Sequence, residues 1–418
     1  MKTIQLIGVN KATVSIPGSK SYTHRALVAA ALADGQSIIE NGLFCEDTYY
    51  TMAALKKLGA VINHMNHNFN VSGVGGKPSK CSDTLQFGNA GTSIRFLTAV
   101  TALGKGTYTL AGNARMSERP IKDLLDGLNQ IGACARAINE NGCPPVFIET
   151  NGLEGGSLSL KANVSSQYLS ALLLVGPYTR NGLDIKIIDA LVSRPYVTMT
   201  IEVMERFGVN VEQRDGDRFY IAGRKGYRPT RVTIEPDASN ASYFWAAAAI
   251  TRTRIKVSNI QRTSRQGDLR LLDLFSEMGC QVEEEIDGIS VQGGPLKGIT
   301  ADMGMMPDVV PTLAVVAAFA EGKTTIRNVA HLKVKETDRL AAVRNELTKI
   351  GIKVELLPDG LIIQGGRPHK GVIDTYHDHR IAMCFAVAGL AIPGMQIKEP
   401  HCVEKSFPTF WKTLEQLY

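Results

Sequence analysis

Residues 21–33 read SYTHRALVAAALA, and beyond Arg25 no polar side chain remains to mark an outer face. A helix that is apolar on nearly all sides must be wrapped in protein, so this segment belongs inside a domain. Five more segments share its character: TSIRFLTAVTAL (92–103), SSQYLSALLLVG (165–176), SNASYFWAAAAI (239–250), DVVPTLAVVAAF (308–319) and HRIAMCFAVAGLAI (379–392). Their starts recur roughly every 70 residues, too long for the usual solenoid repeat. Alternating with them is an amphipathic helix, a glycine and a short strand: MAALKKLGAVI (52–62), LLDGLNQIGACA (124–135), TIEVMERFGVNV (200–211), LLDLFSEMGCQV (271–282) and VRNELTKIGIKV (343–354). The glycines at 59, 132, 208, 279 and 351 stand where a left-handed residue ends a helix. A sixth copy, FPTFWKTLEQL (407–417), follows the last buried helix, and β-branched runs such as RIKVSN and KTTIRNV supply strands.

The pattern predicts six copies of one α/β unit. Three copies can enclose their buried helices in one globule, and six make two. IEPDASNASYF (234–244) restarts the pattern near the middle of the chain. The strand before Gly18 has no unit of its own to complete and is expected to pair into the second half. Residues 19–235 then form one domain and residues 1–18 with 236–418 the other, joined by a two-stranded hinge with a cleft.

The composition narrows the function. With 418 residues, 44% of them hydrophobic, the chain can bury large cores. Its net charge of +6, without a lysine or arginine run, suits anionic ligands rather than nucleic acid. Seven scattered cysteines without a C-x-x-C pair read as reduced thiols of a cytosolic protein. The N-terminus MKTIQLIGVNKATVSI lacks a continuous apolar run, and the longest uncharged stretch, 381–397, is broken by Gly389, Pro393 and Gly394, so neither secretion nor a membrane span is expected.

Cations gather at the starts of the buried helices. Gly18-Ser19-Lys20-Ser21 ends like a nucleotide P-loop, but Ser19 occupies the place of the second glycine and the motif fails. A cation at a helix N-terminus is unfavourable unless an anion is bound there. Helices running side by side would collect such starts: Ser19, Lys20 and Ser21; Asn89, Gly91 and Thr92; Ser165, Ser166 and Gln167; Asp308; His379 and Arg380. FGNAGTSIRFL adds Arg95, and ARMSERPIKDLL adds Arg115 and Arg119, with Pro120 beginning a helix. HLKVKETDRLAAVRNELTKIG is expected to carry Lys335 and Arg339 on one helical face with Glu336 in reach. YHDHRIAM offers His377, Asp378 and His379 as metal ligands, but Arg380 beside them would repel a cation, so a metal is disfavoured. Many cations with a few carboxylates suit substrates rich in phosphate and carboxylate, with paired carboxylates moving protons.

PGSKSYTHRAL, GNAGTSIRFLTA, RMSERPIKDLL, VSSQYLSALLL, LVSRPY, PDASNASYF, HLKVKETDRL, YHDHRIAM and KSFPTF, in that order from residue 16 to 410, together resemble the 5-enolpyruvylshikimate-3-phosphate synthases. The resemblance implies the two-domain enolpyruvyl-transferase fold, an inside-out α/β barrel of six βαβαββ units, three per domain. It implies a cytoplasmic, monomeric enzyme of aromatic amino-acid biosynthesis that needs neither metal nor cofactor. That enzyme joins phosphoenolpyruvate to the 5-hydroxyl of shikimate 3-phosphate and releases phosphate. On matching positions, shikimate 3-phosphate falls to Lys20, Ser21, Arg25, Ser165, Ser166, Gln167, Ser193, Tyr196, Asp308, His331 and Lys335. Phosphoenolpyruvate falls to Lys20, Gly91, Arg119, Gln167, Arg339, Arg380 and Lys405. Asp308, Glu336 and Lys20 are the expected proton carriers, with Arg95 and Arg115 in support.

Three positions depart from the family: Phe96 replaces a usual proline, Arg194 a common lysine, and His331 stands where His or Asn is seen. Gly91 leaves room for glyphosate, so inhibition is expected. The related transferase acting on UDP-N-acetylglucosamine uses a loop cysteine that residues 111–119 lack. An RNA-binding or RNA-end-modifying protein on a similar repeat fold would want aromatic platforms among the basic residues, and aromatics are 6% of the chain.

Overall fold

The computed structural model describes residues 1–214 and 217–418. It contains twelve α-helices: α1 (Lys20–Leu32), α2 (Glu46–Lys57), α3 (Gly91–Ala102), α4 (Lys122–Gln130), α5 (Gln167–Val175), α6 (Arg194–Arg206), α7 (Ala238–Thr251), α8 (Leu271–Met278), α9 (Val310–Ala317), α10 (Arg339–Lys349), α11 (His379–Gly389) and α12 (Phe410–Leu414). Odd-numbered helices are the apolar ones and even-numbered helices the amphipathic ones. In α5 every residue from Tyr168 to Val175 is buried, whereas α4 buries only Leu124, Leu125, Gly127 and Leu128.

The even helices carry their own start and stop signals. Cys45 and Thr48 form a reciprocal cap at the start of α2, Glu46 and Asp47 sit in its first turn, and Lys56 and Lys57 in its last, each charge complementing the helix dipole. Gly59, Gly132, Gly208, Gly279 and Gly351 all have positive φ, between +81° and +109°, and turn the chain from helix to strand. The C-terminal helix is shorter than its sequence pattern. Only residues 410–414 are α-helical and Glu415–Leu417 tighten into a 3-10 turn.

The chain divides into two compact units, residues 18–234 and residues 1–17 with 235–418. In the first, α1, α3 and α5 pack on one another inside a single hydrophobic core that includes Phe87, Phe96, Tyr168 and Phe207. In the second, α7, α9 and α11 do the same around Trp245, Phe244, Phe385 and Phe407.

Each unit carries three small sheets built to one plan. In the first, Gln36–Glu40 pairs antiparallel with Asn68–Ser72, which pairs antiparallel with Val61–Met65. Arg231–Thr233 completes that sheet, parallel to Gln36–Glu40, with Arg231 opposite Ile38. The other unit repeats the device: Lys11–Ser15 runs parallel to Arg254–Ser258, with Lys11 opposite Arg254. The exception to four strands is the sheet of Lys2–Thr3, Gln396–Ile397 and Val372–Ile373. Among the described residues no helix is long and apolar enough to cross a membrane, and no group of three or more His, Cys, Asp or Glu side chains could hold a metal ion.

Candidate active-site residues

The expected site residues fall into two clusters, one in each unit. In residues 18–234 the starts of α1, α2, α3 and α5 are stitched together. Lys20 Nζ, on a side chain 14% exposed, lies 2.9 Å from Asp47 Oδ2 in the first turn of α2. Ser93 Oγ in α3 donates to the Asp47 carbonyl at 2.9 Å, and Gln167 Nε2 at the start of α5 donates to Thr92 Oγ1 at 3.0 Å. Neither α1 nor α3 receives a side-chain cap. Ser19 does not cap α1, and its buried Oγ makes no hydrogen bond among the described residues. The cation and the uncapped N–H groups therefore share one helix end, an arrangement that an anion stabilises.

Arginines are fixed around these helix starts by neutral oxygens. Arg25, 2% exposed, donates from Nε to Thr200 Oγ1 at 2.8 Å, from Nη1 to the Ser21 carbonyl at 2.7 Å and from Nη2 to the Tyr196 carbonyl at 3.0 Å. Burial pulls its guanidinium down to about 10, against the raising influence of Tyr196 and Tyr22. Phe96, the departure from the family pattern, is buried and lies 5.3 Å beneath that guanidinium, where an aromatic face favours a cation. Arg95 donates to Gln167 Oε1 at 2.7 Å and to the Pro120 carbonyl at 2.8 Å. Arg119 is buried and not part of a solvated loop, its Nη1 donating at 2.9 Å to both the carbonyl and Oδ1 of Asn89. Its guanidinium covers Gly91, where a Cβ would come within 2.5 Å of Nη2.

The remaining positions of this cluster are lined by short polar side chains. Ser165 and Ser166 are buried ahead of α5, and Ser165 Oγ accepts from the Gln167 amide at 3.2 Å. Ser193, before α6, is held in the left-handed region at φ +54°, a conformation that costs a non-glycine residue energy and that sites tend to contain. Tyr196 follows in the first turn of α6. Arg194 pairs with Asp217, and Arg115 with Glu118 at 2.7 Å. Pro120 does not begin a helix, because α4 starts at Lys122.

In the other unit a buried guanidinium organises the acids. Arg339, 2% exposed, reaches Asp378 Oδ2 from Nε at 2.8 Å, Asp308 Oδ1 from Nη1 at 3.0 Å and Glu336 Oε2 from Nη2 at 2.7 Å. Arg380 Nη2 grips Asp308 Oδ2 at 2.7 Å, so Asp308 is shared by two arginines. Burial pushes the Asp308 carboxyl up, but the charges of Arg380, Arg339 and Lys335 outweigh it and hold the group well below the usual carboxylate range. Burial likewise pulls Arg339 down, and its carboxylate neighbours more than reverse this. Burial and then Lys335 drive His331 down to about 3, so its imidazole is neutral near pH 7. Lys405 is buried at the end of the 3-10 turn Pro400–Lys405, next to α11.

Lys335 and Arg339 do not share a helical face. Asp338 Oδ1 accepts from the Ala341 amide and starts α10 at Arg339, which leaves Lys335 outside the helix at the end of the 3-10 turn Ala330–Val334. Glu336 still reaches Arg339.

Sequence reasoning missed Asp47 and Thr200, which sit in ordinary helix contexts without a motif, whereas Asn89, expected among the helix starts, holds Arg119 through its carbonyl and Oδ1. Asp378 had been weighed only as a metal ligand. Instead it caps α11 through the Arg380 amide at 2.9 Å and anchors Arg339.

The fold is that of the enolpyruvyl transferases. The chain matches the enolpyruvyl transferase NikO of Streptomyces tendae with a TM-score of 0.80 at 21% identity, covering 99% of this chain and 97% of that one. It matches EPSP synthase of Acinetobacter baumannii with a TM-score of 0.82 at 28% identity over the same shares. The chain belongs to the EPSP synthase (3-phosphoshikimate 1-carboxyvinyltransferase) family, which it matches over residues 5–414. Its relatives include the 3-phosphoshikimate 1-carboxyvinyltransferases of Nostoc punctiforme, 45% identical over 100% of this chain and 99% of that one, and of Syntrophobacter fumaroxidans, 43% identical over the same shares. The protein is a transferase with the family's activity, enolpyruvyl transfer in the shikimate pathway.

Proposed function

We propose that the two clusters bind shikimate 3-phosphate and phosphoenolpyruvate and pass the enolpyruvyl group between them by addition and elimination. Shikimate 3-phosphate is held by Lys20, Ser21, Arg25, Ser165, Ser166, Gln167, Ser193, Tyr196, Asp308, His331 and Lys335. Phosphoenolpyruvate is held by Lys20, Gly91, Arg119, Gln167, Arg339, Arg380 and Lys405. The observation that carries the reading is the sharing of Arg339 by Asp308 and Glu336, which keeps two carboxylates on one buried cation with Arg380 beside them.

The chemistry follows from charge. An enol carbon is not electrophilic until its methylene takes a proton, so one group must donate while another accepts. Asp308 is held ionised and serves as the acceptor for the 5-hydroxyl proton as that oxygen bonds to C2. Glu336 supplies the methylene proton and takes one back from the methyl group when the C2–O bond to phosphate breaks, while the proton held by Asp308 passes to the departing phosphate, which leaves as hydrogen phosphate and restores the carboxylate. Lys20 and the arginines stabilise the charge that gathers on the departing phosphate.

The test is phosphate release from phosphoenolpyruvate with shikimate 3-phosphate, with UDP-N-acetylglucosamine, and with neither. Release only with shikimate 3-phosphate is expected; release with the sugar nucleotide overturns the acceptor assignment.

A further inference from the structure

Asp268 is a buried acid that takes no part in the scheme above. It lies in the 3-10 turn Gly267–Arg270, is 4% exposed, and one of its oxygens, Oδ2, accepts a hydrogen bond from Ser239 Oγ in the first turn of α7. Ser239 in turn lies 3.4 Å from Arg380 Nη2, the same nitrogen that grips Asp308, while Arg380 Nη1 lies 3.4 Å from the Tyr243 hydroxyl. A serine hydroxyl has one proton and can aim it one way only. Committed to Asp268, it turns its lone pairs to Arg380.

We propose that Asp268 is a positioning residue for phosphoenolpyruvate binding, fixing the Arg380 fork through the Ser239 hydroxyl. This rests on the reading of Arg380 as a phosphoenolpyruvate ligand. The two long contacts are of the kind that tighten when a ligand loads the site.

A purely structural role for Asp268 fits the surroundings less well. Gln266 already ties this segment to α7, accepting from the Ala238 amide at 3.0 Å and donating to the Pro236 carbonyl at 2.8 Å. Asp268 Oδ1 is buried and makes no hydrogen bond among the described residues, and a half-satisfied buried carboxylate lowers stability. The charged and titratable groups around it are Asp237 and Tyr243 at α7, Asp308 ahead of α9, Arg380 on α11, and Arg262, whose Nη1 donates to the Leu269 carbonyl at 3.4 Å. Burial and then Asp308 raise the Asp268 carboxyl to about 7 against the pull of Arg380.

The experiment is steady-state kinetics and thermal melting of the full chain with Asp268→Asn, Ser239→Ala, the double variant and Arg380→Lys as reference. Asp268→Asn and Ser239→Ala are each expected to raise the KM for phosphoenolpyruvate about 10-fold, with the KM for shikimate 3-phosphate and the Tm unchanged. The double variant should be no worse than either single one, because both cut the same path. The KM ratio of Asp268→Asn to the unmodified enzyme should be larger at pH 8.5 than at pH 6, where the native carboxyl is itself neutral. If Arg380→Lys raises the phosphoenolpyruvate KM while Asp268→Asn leaves it unchanged at both pH values, this inference fails alone. If Arg380→Lys also leaves it unchanged, the reading of Arg380 has failed first. A loss in Asp268→Asn that appears only as a lower Tm assigns the residue to the fold and overturns the proposal.

Discussion

At the residue scale, Gly91 is held to glycine by a neighbour and not by its own backbone angles. A methyl group there meets the far end of the Arg119 side chain, which can swing away, so the backbone has no need to move. Gly91→Ala is expected to lower kcat/KM for phosphoenolpyruvate about 10-fold, leaving the melting temperature and the KM for shikimate 3-phosphate as they were. Steady-state kinetics with each substrate varied in turn would check it; an equal loss for both substrates would contradict it. His331 supports a prediction about pH. Its folded value of about 3 lies below the unfolded value near 6.5, so the unfolded chain binds the extra proton in that window and stability drains away as pH falls through it. Replacing His331 by Asn should therefore flatten the decline in urea-unfolding free energy between pH 6.5 and pH 4. A decline of the same steepness would mean that other groups govern acid unfolding. Among departures from the family, Phe96 finds a physical role beneath Arg25, whereas Arg194 simply pairs with Asp217.

At the scale of elements, the alternation of fully apolar and amphipathic helices was legible because burial on all sides and burial on one side leave different periodicities. The glycine stops were legible for the same kind of reason: one backbone geometry needs one residue type. Gly279 makes the point testable. Its φ is +109° and a Cβ would stand 2.6 Å from the Pro295 carbonyl oxygen, a backbone atom that has little freedom to give way. Gly279→Ala should cost about 1–3 kcal/mol of stability in chemical denaturation, with KM values unchanged. What the sequence did not reveal were elements set by single hydrogen bonds. The start of α10 was misjudged because Asp338, one polar residue among many in KVKETDRL, does the capping. Ser193 gave no sign of its left-handed backbone, and Asp268 sits in a short 3-10 turn that has no periodicity to read. Candidate ligands at helix starts were legible, Asn89 among them, but the anchors Asp47 and Thr200 were not, since a pair formed across the fold leaves no trace in local spacing.

At the scale of the whole molecule, residues 18–234 form a continuous stretch with its own core, while the other unit is assembled from two separate pieces of chain. The continuous piece carries most of the residues proposed for shikimate 3-phosphate. Expressed alone, it should melt cooperatively and bind shikimate 3-phosphate weakly in titration calorimetry without releasing phosphate; a fragment that melts without a transition would show that its core needs the rest of the chain. The parallel strand that completes each unit's first sheet also sets a timetable for synthesis. Lys11–Ser15 leaves the ribosome early but must wait for Arg254–Ser258, whereas Gln36–Glu40 gains its parallel partner once Arg231–Thr233 emerges. At about 5–20 residues per second the N-terminal strand stays without its parallel neighbour for roughly ten to fifty seconds. Its sequence, KATVS, offers a nascent edge only five residues long, with a lysine at one end, so the delay exposes little that another chain could join.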